Sequence, residues 1–358
     1  MLDANNNTGC ISLSKQDTAA MKGIAICAML CHHLYTCPEI IGDGIVPYAG
    51  VLSWIGMLGK VCVALFLFCS GYGLATNYSP NSIKDDIKFI GRRLVKFYFN
   101  YWVIFIIFVP LTIFVFHRPL SAAYGENYVW WHLMLDVLGL QGWHTYNVTW
   151  WFNTLIIILY ALFPLFIRVA RLKPWMAILA GMVVMRLSSH VPYDEMGLCI
   201  WQFPFILGIV WKLYENKGVR IQKWLAAHRW MAGLGALCLL VITVIIRMYP
   251  IIPHWGGWRI DGFIACAIAL CVATILRHLS WLMSVFALLG KHSMNIYMIH
   301  TFFNGYWRPE WLHSCEWLRA GANFVVLMLM CLTISIMLEY LKDRIGVYKL
   351  MKIITNRI

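Results

Sequence analysis

Ten apolar runs joined by mostly short connections decide what this chain can fold into. They lie at about 20–38, 51–76, 97–116, 150–167, 175–190, 197–213, 231–249, 259–276, 293–312 and 319–341. A helix of roughly 17 to 25 apolar residues crosses the hydrocarbon of a bilayer. The run at 175–190 is short, and the one at 293–312 is interrupted by polar residues. Charged residues make up only 13% of the 358, about half of what a water-soluble chain uses to wet its surface. Disordered, collagen-like and nucleic-acid-binding classes are therefore excluded. The expected fold is all-α, a polytopic membrane helix bundle of about ten spans with the lipid bilayer as its first partner.

Basic residues set the expected orientation, because Lys and Arg are retained in short cytoplasmic loops. With the N-terminus inside, 22 of the 29 Lys and Arg residues fall in connections on that side, and both termini are cytoplasmic. The expected organisation is a cytoplasmic segment 1–19, a transmembrane domain 20–341 and a basic cytoplasmic tail 342–358. The start, with Asn5, Asn6 and Asn7, does not read as a secretory signal, so the first helix is expected to insert uncleaved. Eight of the twelve cysteines lie in apolar runs and read as packing residues; Cys37, Cys199 and Cys315 near the outer face allow one bridge without requiring it. The outer connection 117–149 holds Trp130, Trp131, His132, Trp143 and His144. Such aromatic density suits the membrane interface, with a short helix from Val129 to Leu140.

Within this apolar frame a few polar groups stand out. Lys22 and His33 are eleven residues apart on the first run, which returns to nearly the same helix face about 16 Å further along the axis. Ionisable groups at such depth mark cavities or proton-handling sites, and an imidazole exchanges a proton near neutral pH. The adjacent His32 and His33 point about 100° apart, so one can line a site while the other packs elsewhere. Ser70 and Gly71 close the second run with a hydroxyl and a close-approach position, or simply a tight helix contact. Arg92, Arg93 and Lys96 form a basic cluster suited to phosphate, although basic residues are expected on that side anyway.

Trp150 and Trp151 open the fourth run as an interfacial anchor or an acceptor platform, and Tyr297 and His300 share a face in the ninth. Asp261 stands beside Arg259, with which it is expected to pair; orienting a catalytic imidazole is the other reading.

Taken together, Lys22 to His33, Phe66 to Gly73, Arg93 to Lys96, Trp150 to Pro164 and Leu289 to His300 resemble the acyltransferase family 3 membrane proteins, the bacterial integral-membrane O-acyltransferases. That family's motifs are a basic residue followed after ten residues by histidine, matched by Lys22 and His33, and a basic pair spaced by two, matched by Arg93 and Lys96. Lys stands at two positions where Arg is common, which keeps charge but removes the planar fork.

The resemblance implies a stand-alone member without a fused soluble domain, multi-pass in the bacterial cytoplasmic (inner) membrane. It implies acetyl-CoA as acyl donor, its phosphates at Arg92, Arg93, Lys96 and Lys22, with Ser70 and Gly71 nearby. His33 becomes a general base or transient acyl carrier, helped by Asp261, with no metal. The implied acceptor is a hydroxyl of a cell-envelope or capsular polysaccharide, or of its lipid-linked precursor, held near Trp150, Trp151, Tyr297 and His300. The residues leave the assembly open between monomer and homodimer.

The competing reading from another class is a secondary transporter using His33, His300, Lys60 and Asp261, against which stands the lack of repeated halves. A haem or metal protein built on His32, His33, His300 and Cys31 has unspecific ligand spacing.

Overall fold

In lipid every backbone N–H and C=O must be satisfied within its own segment, so apolar runs of this length become helices. The computed structural model describes residues 11–36, 50–79, 82–190, 197–217, 219–249, 257–307 and 317–358, and among these it contains helices and no strand. In chain order they are α1 (Lys15–Tyr35), α2 (Val51–Gly59), α3 (Cys62–Thr76), α4 (Ile83–Phe114), α5 (Ser121–Tyr124), α6 (Val129–Val137), α7 (Trp151–Leu172) and α8 (Pro174–Leu187). There follow α9 (Leu198–Tyr214), α10 (Val219–Ala227), α11 (Arg229–Met248), α12 (Asp261–Thr274), α13 (Ser280–Lys291), α14 (Ser293–Thr301), α15 (Trp317–Arg344) and α16 (Val347–Arg357).

Six stretches among the described residues are long and apolar enough to cross a membrane: Val51–Thr76, Ile83–Phe114, Val148–Leu172, Arg229–Met248, Gly257–His278 and Ala320–Arg344. Within the described residues each of the ten expected runs falls on helix, but several boundaries differ. The second run breaks at Lys60 and Val61 into α2 and α3. The third helix starts at Ile83 rather than near 97, capped by Ser82, whose Oγ accepts from the Asp85 N–H at 3.2 Å. It thereby carries the whole basic segment on helix. The described part of the ninth run closes with a π-helical stretch, Phe302–Trp307, a geometry frequent at functional sites. The expected short helix is present as α6, three residues shorter than 129–140. Cys37 and Cys315 lie outside the described residues, and Cys199 is half-buried at the start of α9.

Contacts sort the chain into two compact units. Unit 1 comprises residues 1–25, 61–78 and 163–291; unit 2 comprises 26–60, 79–162 and 292–358.

Unit 1 is held by close backbone approach and paired charges. Lipid tails are as apolar as leucine, so helices associate through packing, which small residues favour. A Cβ on Gly71 of α3 would stand 2.1 Å from the Phe205 carbonyl oxygen, and one on Gly208 of α9 would stand 2.1 Å from that of Phe68. Glycine at both positions lets α3 and α9 touch backbone to backbone. Gly290 of α13 meets the Ala19 carbonyl of α1 in the same way, at 1.8 Å from its would-be Cβ. The start of α1 is a reciprocal cap: Asp17 N–H donates to Ser14 Oγ at 3.1 Å, and Ser14 N–H donates to Asp17 Oδ2 at 2.6 Å. Asp17 Oδ2 also pairs with Arg277 at 2.6 Å.

Unit 2 builds its core from aromatic rings and polar networks. Trp150 is fully buried, with Tyr101 and Phe302 edge-on at 5.1 and 5.7 Å between centroids. Gly56 and Gly59 bring α2 onto α1, where a Cβ on Gly59 would lie 2.3 Å from the Ala28 carbonyl.

Candidate active site

His33 is half-buried near the C-terminal end of α1, and its ring lies nearly parallel to that of His300 on α14, 4.8 Å between centroids and 10° between planes. His33 Nδ1 and His300 Nε2 are 2.7 Å apart. The hydrogen-bond partners fix the protons. His300 Nδ1 faces the carbonyl oxygens of Tyr297 at 2.8 Å and Ile296 at 3.2 Å, so it must be the N–H donor. Its Nε2 is then the acceptor, and His33 Nδ1–H donates to it. That leaves the lone pair of His33 on Nε2, which has no hydrogen-bond partner among the described residues. An imidazole oriented through one nitrogen, with a lone pair on the other, is the arrangement of a general base.

A polar chain supports the pair. Thr301 Oγ1 lies 3.2 Å from His300 Nε2 and 3.3 Å from Thr149 Oγ1, and Thr149 is fixed by Asn147 Oδ1, which accepts from its N–H at 3.1 Å and its hydroxyl at 2.8 Å. Asn147 donates to the Met298 carbonyl at 3.3 Å, as does Trp150 Nε1 at 3.1 Å. Trp150 is therefore a core residue locking the start of α7 to α14, and neither an interfacial anchor nor an exposed platform. Tyr297 donates its hydroxyl to the Thr149 carbonyl at 2.6 Å and packs edge-on to Phe152. Trp151 is stacked by Trp143 at 4.6 Å and has Lys60 Nζ 5.4 Å from its ring centre. Trp143 is exposed, so a stacked tryptophan pair opens outward from this region.

The basic cluster lies on α4. Arg92 and Lys96 are exposed, and Arg93 is half-buried with its guanidinium 5.4 Å above the Phe89 ring. Among the described residues none of the three has a carboxylate partner, so their charge is available to phosphate. Lys22 and His33 share the unbroken α1. Ser70 is half-buried on α3, while Gly71 is used up in the contact with Phe205, and no ligand can approach its Cα there.

Two expectations change at atomic detail. Asp261 is fully buried and pairs with Arg247, not Arg259: Arg247 Nε donates to its Oδ1 at 2.5 Å, while Arg259 Nη2 reaches Ser188 Oγ at 3.1 Å. The chain positions of 259 and 261 put the two side chains on different sides of the helix start, whereas Arg247 comes from the neighbouring α11. The partner that orients His33 is His300, so the imidazole-orienting role does not fall to Asp261. His32 is the packing histidine of the adjacent pair, its Nδ1 donating to the Gly56 carbonyl at 2.9 Å. The His33 and His300 nitrogens stand at hydrogen-bonding distance, closer than the roughly 3.3 Å that separates two ligands of one tetrahedral zinc. Among the described residues no group of three or more His, Cys, Asp or Glu could hold a metal.

Two buried polar centres were not singled out from sequence. Asp136 on α6 is fully buried and accepts from Tyr124 Oη at 2.7 Å, Tyr101 Oη at 3.0 Å and the Tyr146 N–H at 2.6 Å. Burial raises its carboxyl to about 6 against those three donors, which pull it down. Lys342, expected in the basic cytoplasmic tail, is fully buried: its Nζ donates to Asn100 Oδ1 and Asn295 Oδ1, both at 2.8 Å, and to Glu339 Oε1 at 3.0 Å. The available signal for the second was Glu339 and Lys342 spaced by three at the end of an apolar run, with Asn295 inside another.

No curated protein and no solved structure matches the chain. The family model described as an acyltransferase domain, acyltransferase 3, matches residues 19–340 of the 358. That span takes in the His33–His300 pair, the α4 cluster and the helices that carry them, and the chain is thus a multi-pass membrane member of the acyltransferase 3 family.

Proposed function

We propose that this protein is an O-acetyltransferase of the bacterial cytoplasmic membrane, both termini inside, moving acetyl from cytoplasmic acetyl-CoA to a hydroxyl of a cell-envelope or capsular polysaccharide or its lipid-linked precursor. The observation that carries the reading is the hydrogen-bonded pair, in which His300 Nε2 accepts from His33 Nδ1–H and directs the lone pair to His33 Nε2. In the reaction, Nε2 takes the proton of the acceptor hydroxyl as its oxygen attacks the thioester carbonyl. The C–S bond then breaks, and the proton passes from Nε2 to the departing coenzyme A thiolate. His300 meanwhile stabilises the transient imidazolium as its hydrogen-bond acceptor. A transient acetyl-imidazole would use the same nitrogen. The diphosphate of coenzyme A is assigned to Arg92, Arg93 and Lys96, and the sugar to the aromatic surface of Trp151 and Trp143, with Tyr297 near the acceptor.

The test uses the full chain in lipid nanodiscs with acetyl-CoA, following free thiol released by transfer to water. The wild type is expected to release thiol slowly, and His33→Ala to lose about 10²- to 10⁴-fold of that rate, the usual worth of a general base. A folded His33→Ala protein with the wild-type rate would remove His33 from the chemistry. Comparison of envelope polysaccharides with and without the gene by mass spectrometry then identifies the acetylated sugar; unchanged polysaccharide would refute that acceptor class.

A further inference from the structure

A groove of about 530 Å³ runs in unit 1 between α11 and the end of α12. Its walls are Gly233, Leu234, Leu237 and Ile275, and its mouth is lined by Arg229 and His278. A smaller pocket sharing Arg229, Thr274 and His278 continues it towards Arg277. Leu234 and Leu237 are exposed on a helix that is long and apolar enough to span, so this groove opens onto acyl chains rather than water. The cationic mouth sits where Trp230, Trp224 and Trp281 are all exposed, the tryptophan belt that marks the headgroup level.

Arg229 has no carboxylate partner among the described residues, whereas Arg277 is held by Asp17 at 2.6 Å, so Arg229 brings the net charge to the mouth. Gly233 keeps the groove open: a Cβ there would approach Ile275 Cγ1 to 3.2 Å. An apolar channel of lipid-facing walls, closed at headgroup depth by a guanidinium and an imidazole, complements one molecule with a phosphate head and an acyl tail. We infer that this groove is a binding site for an anionic glycerophospholipid, its phosphate on Arg229 and His278 and one acyl chain along Gly233, Leu234 and Leu237. The site is independent of the acyl-transfer reading, and none of its residues belongs to the proposed donor or acceptor sites.

The test is native mass spectrometry of the delipidated full chain titrated with phosphatidylglycerol, phosphatidylcholine, polyprenyl phosphate or coenzyme A. The expected result is retention of one phosphatidylglycerol in preference to phosphatidylcholine. Arg229→Gln, at an exposed position, should weaken that retention about fivefold, the worth of one basic residue at a lipid surface. Gly233→Leu should abolish it by filling the groove, with the fold checked by an unchanged melting temperature. Equal retention of phosphatidylcholine, tighter binding of polyprenyl phosphate or of coenzyme A, or retention unaffected by both variants would overturn the assignment.

Discussion

The histidines of unit 2 handle buried polarity differently from the buried charges of unit 1. In unit 1 the buried charges come in ion pairs, Arg247 with Asp261 and Arg277 with Asp17, and the helices meet across glycines. In unit 2 the histidines pair with each other, and threonine, asparagine and backbone carbonyls complete the chain around them. An ion pair closes its own electrostatic account and leaves little for a substrate to do. A chain of neutral donors and acceptors ends in an unoccupied lone pair, and that is where a proton can be taken. Chemistry is accordingly expected in unit 2 and scaffolding in unit 1.

The comparison is broken most directly at Asp261. Asp261→Ala leaves a buried guanidinium without its carboxylate, which should lower stability by about 3–5 kcal/mol. Thermal unfolding in detergent should show the loss, and replacing both Arg247 and Asp261 by leucine should recover most of it. If the folded Asp261→Ala protein instead kept its melting temperature and lost its rate of thiol release, the ion pair would belong to the chemistry.

The next effect is a pH dependence at Asp136, which lies outside the spanning helices. Its folded value is raised to about 6 from an ordinary 3.8, so the folded protein holds a proton that the unfolded chain has already released. The stabilisation from that proton is complete below the ordinary value and is lost as pH rises towards and through 6. The change is on the order of 2–3 kcal/mol. Melting temperatures between pH 4 and pH 7 should fall for the wild type and flatten for Asp136→Asn; identical slopes would dismiss the carboxyl as the titrating group.

A smaller effect sharpens the role of His300. His300→Leu should reduce thiol release about 10- to 100-fold, the range for losing a group that orients a reacting one. His300→Gln, whose amide oxygen can accept from His33 Nδ1–H, should restore part of the rate. A structural role alone would move the melting temperature of both variants and leave the pH–rate profile in place, whereas an orienting role shifts that profile.

The smallest expected change is at the α4 cluster. Arg93→Ala should raise KM for acetyl-CoA about fivefold with kcat nearly constant, and added salt should do the same to the wild type, since phosphate contacts are screened. Indifference to both would favour the transporter reading over the enzyme.

Much of the fold was readable from residue order, because a lipid environment permits few backbone solutions. Within the described residues each of the ten apolar runs coincides with helix, and the resemblance to the family agrees with the match over 19–340. Helix boundaries were less legible: the capped start at Ser82 and the break at Lys60 depend on local geometry that hydropathy does not register. Asp136 and Lys342 were missed for a related reason. A charge near the end of an apolar run looks solvated until neighbours from distant segments close over it.

The order of residues by itself determined that this chain is a helical membrane protein and marked His33 and His300 as polar groups in apolar surroundings, since hydropathy and charge are local properties. Tertiary structure alone decided which groups meet. It joined residues 33 and 300 across 267 positions of chain, gave Asp261 to Arg247, and turned Gly71 into a helix contact. Hydrogen bonds act over about 3 Å, and only the packing of α1 against α14 could bring those two nitrogens within that distance and so fix where the proton sits.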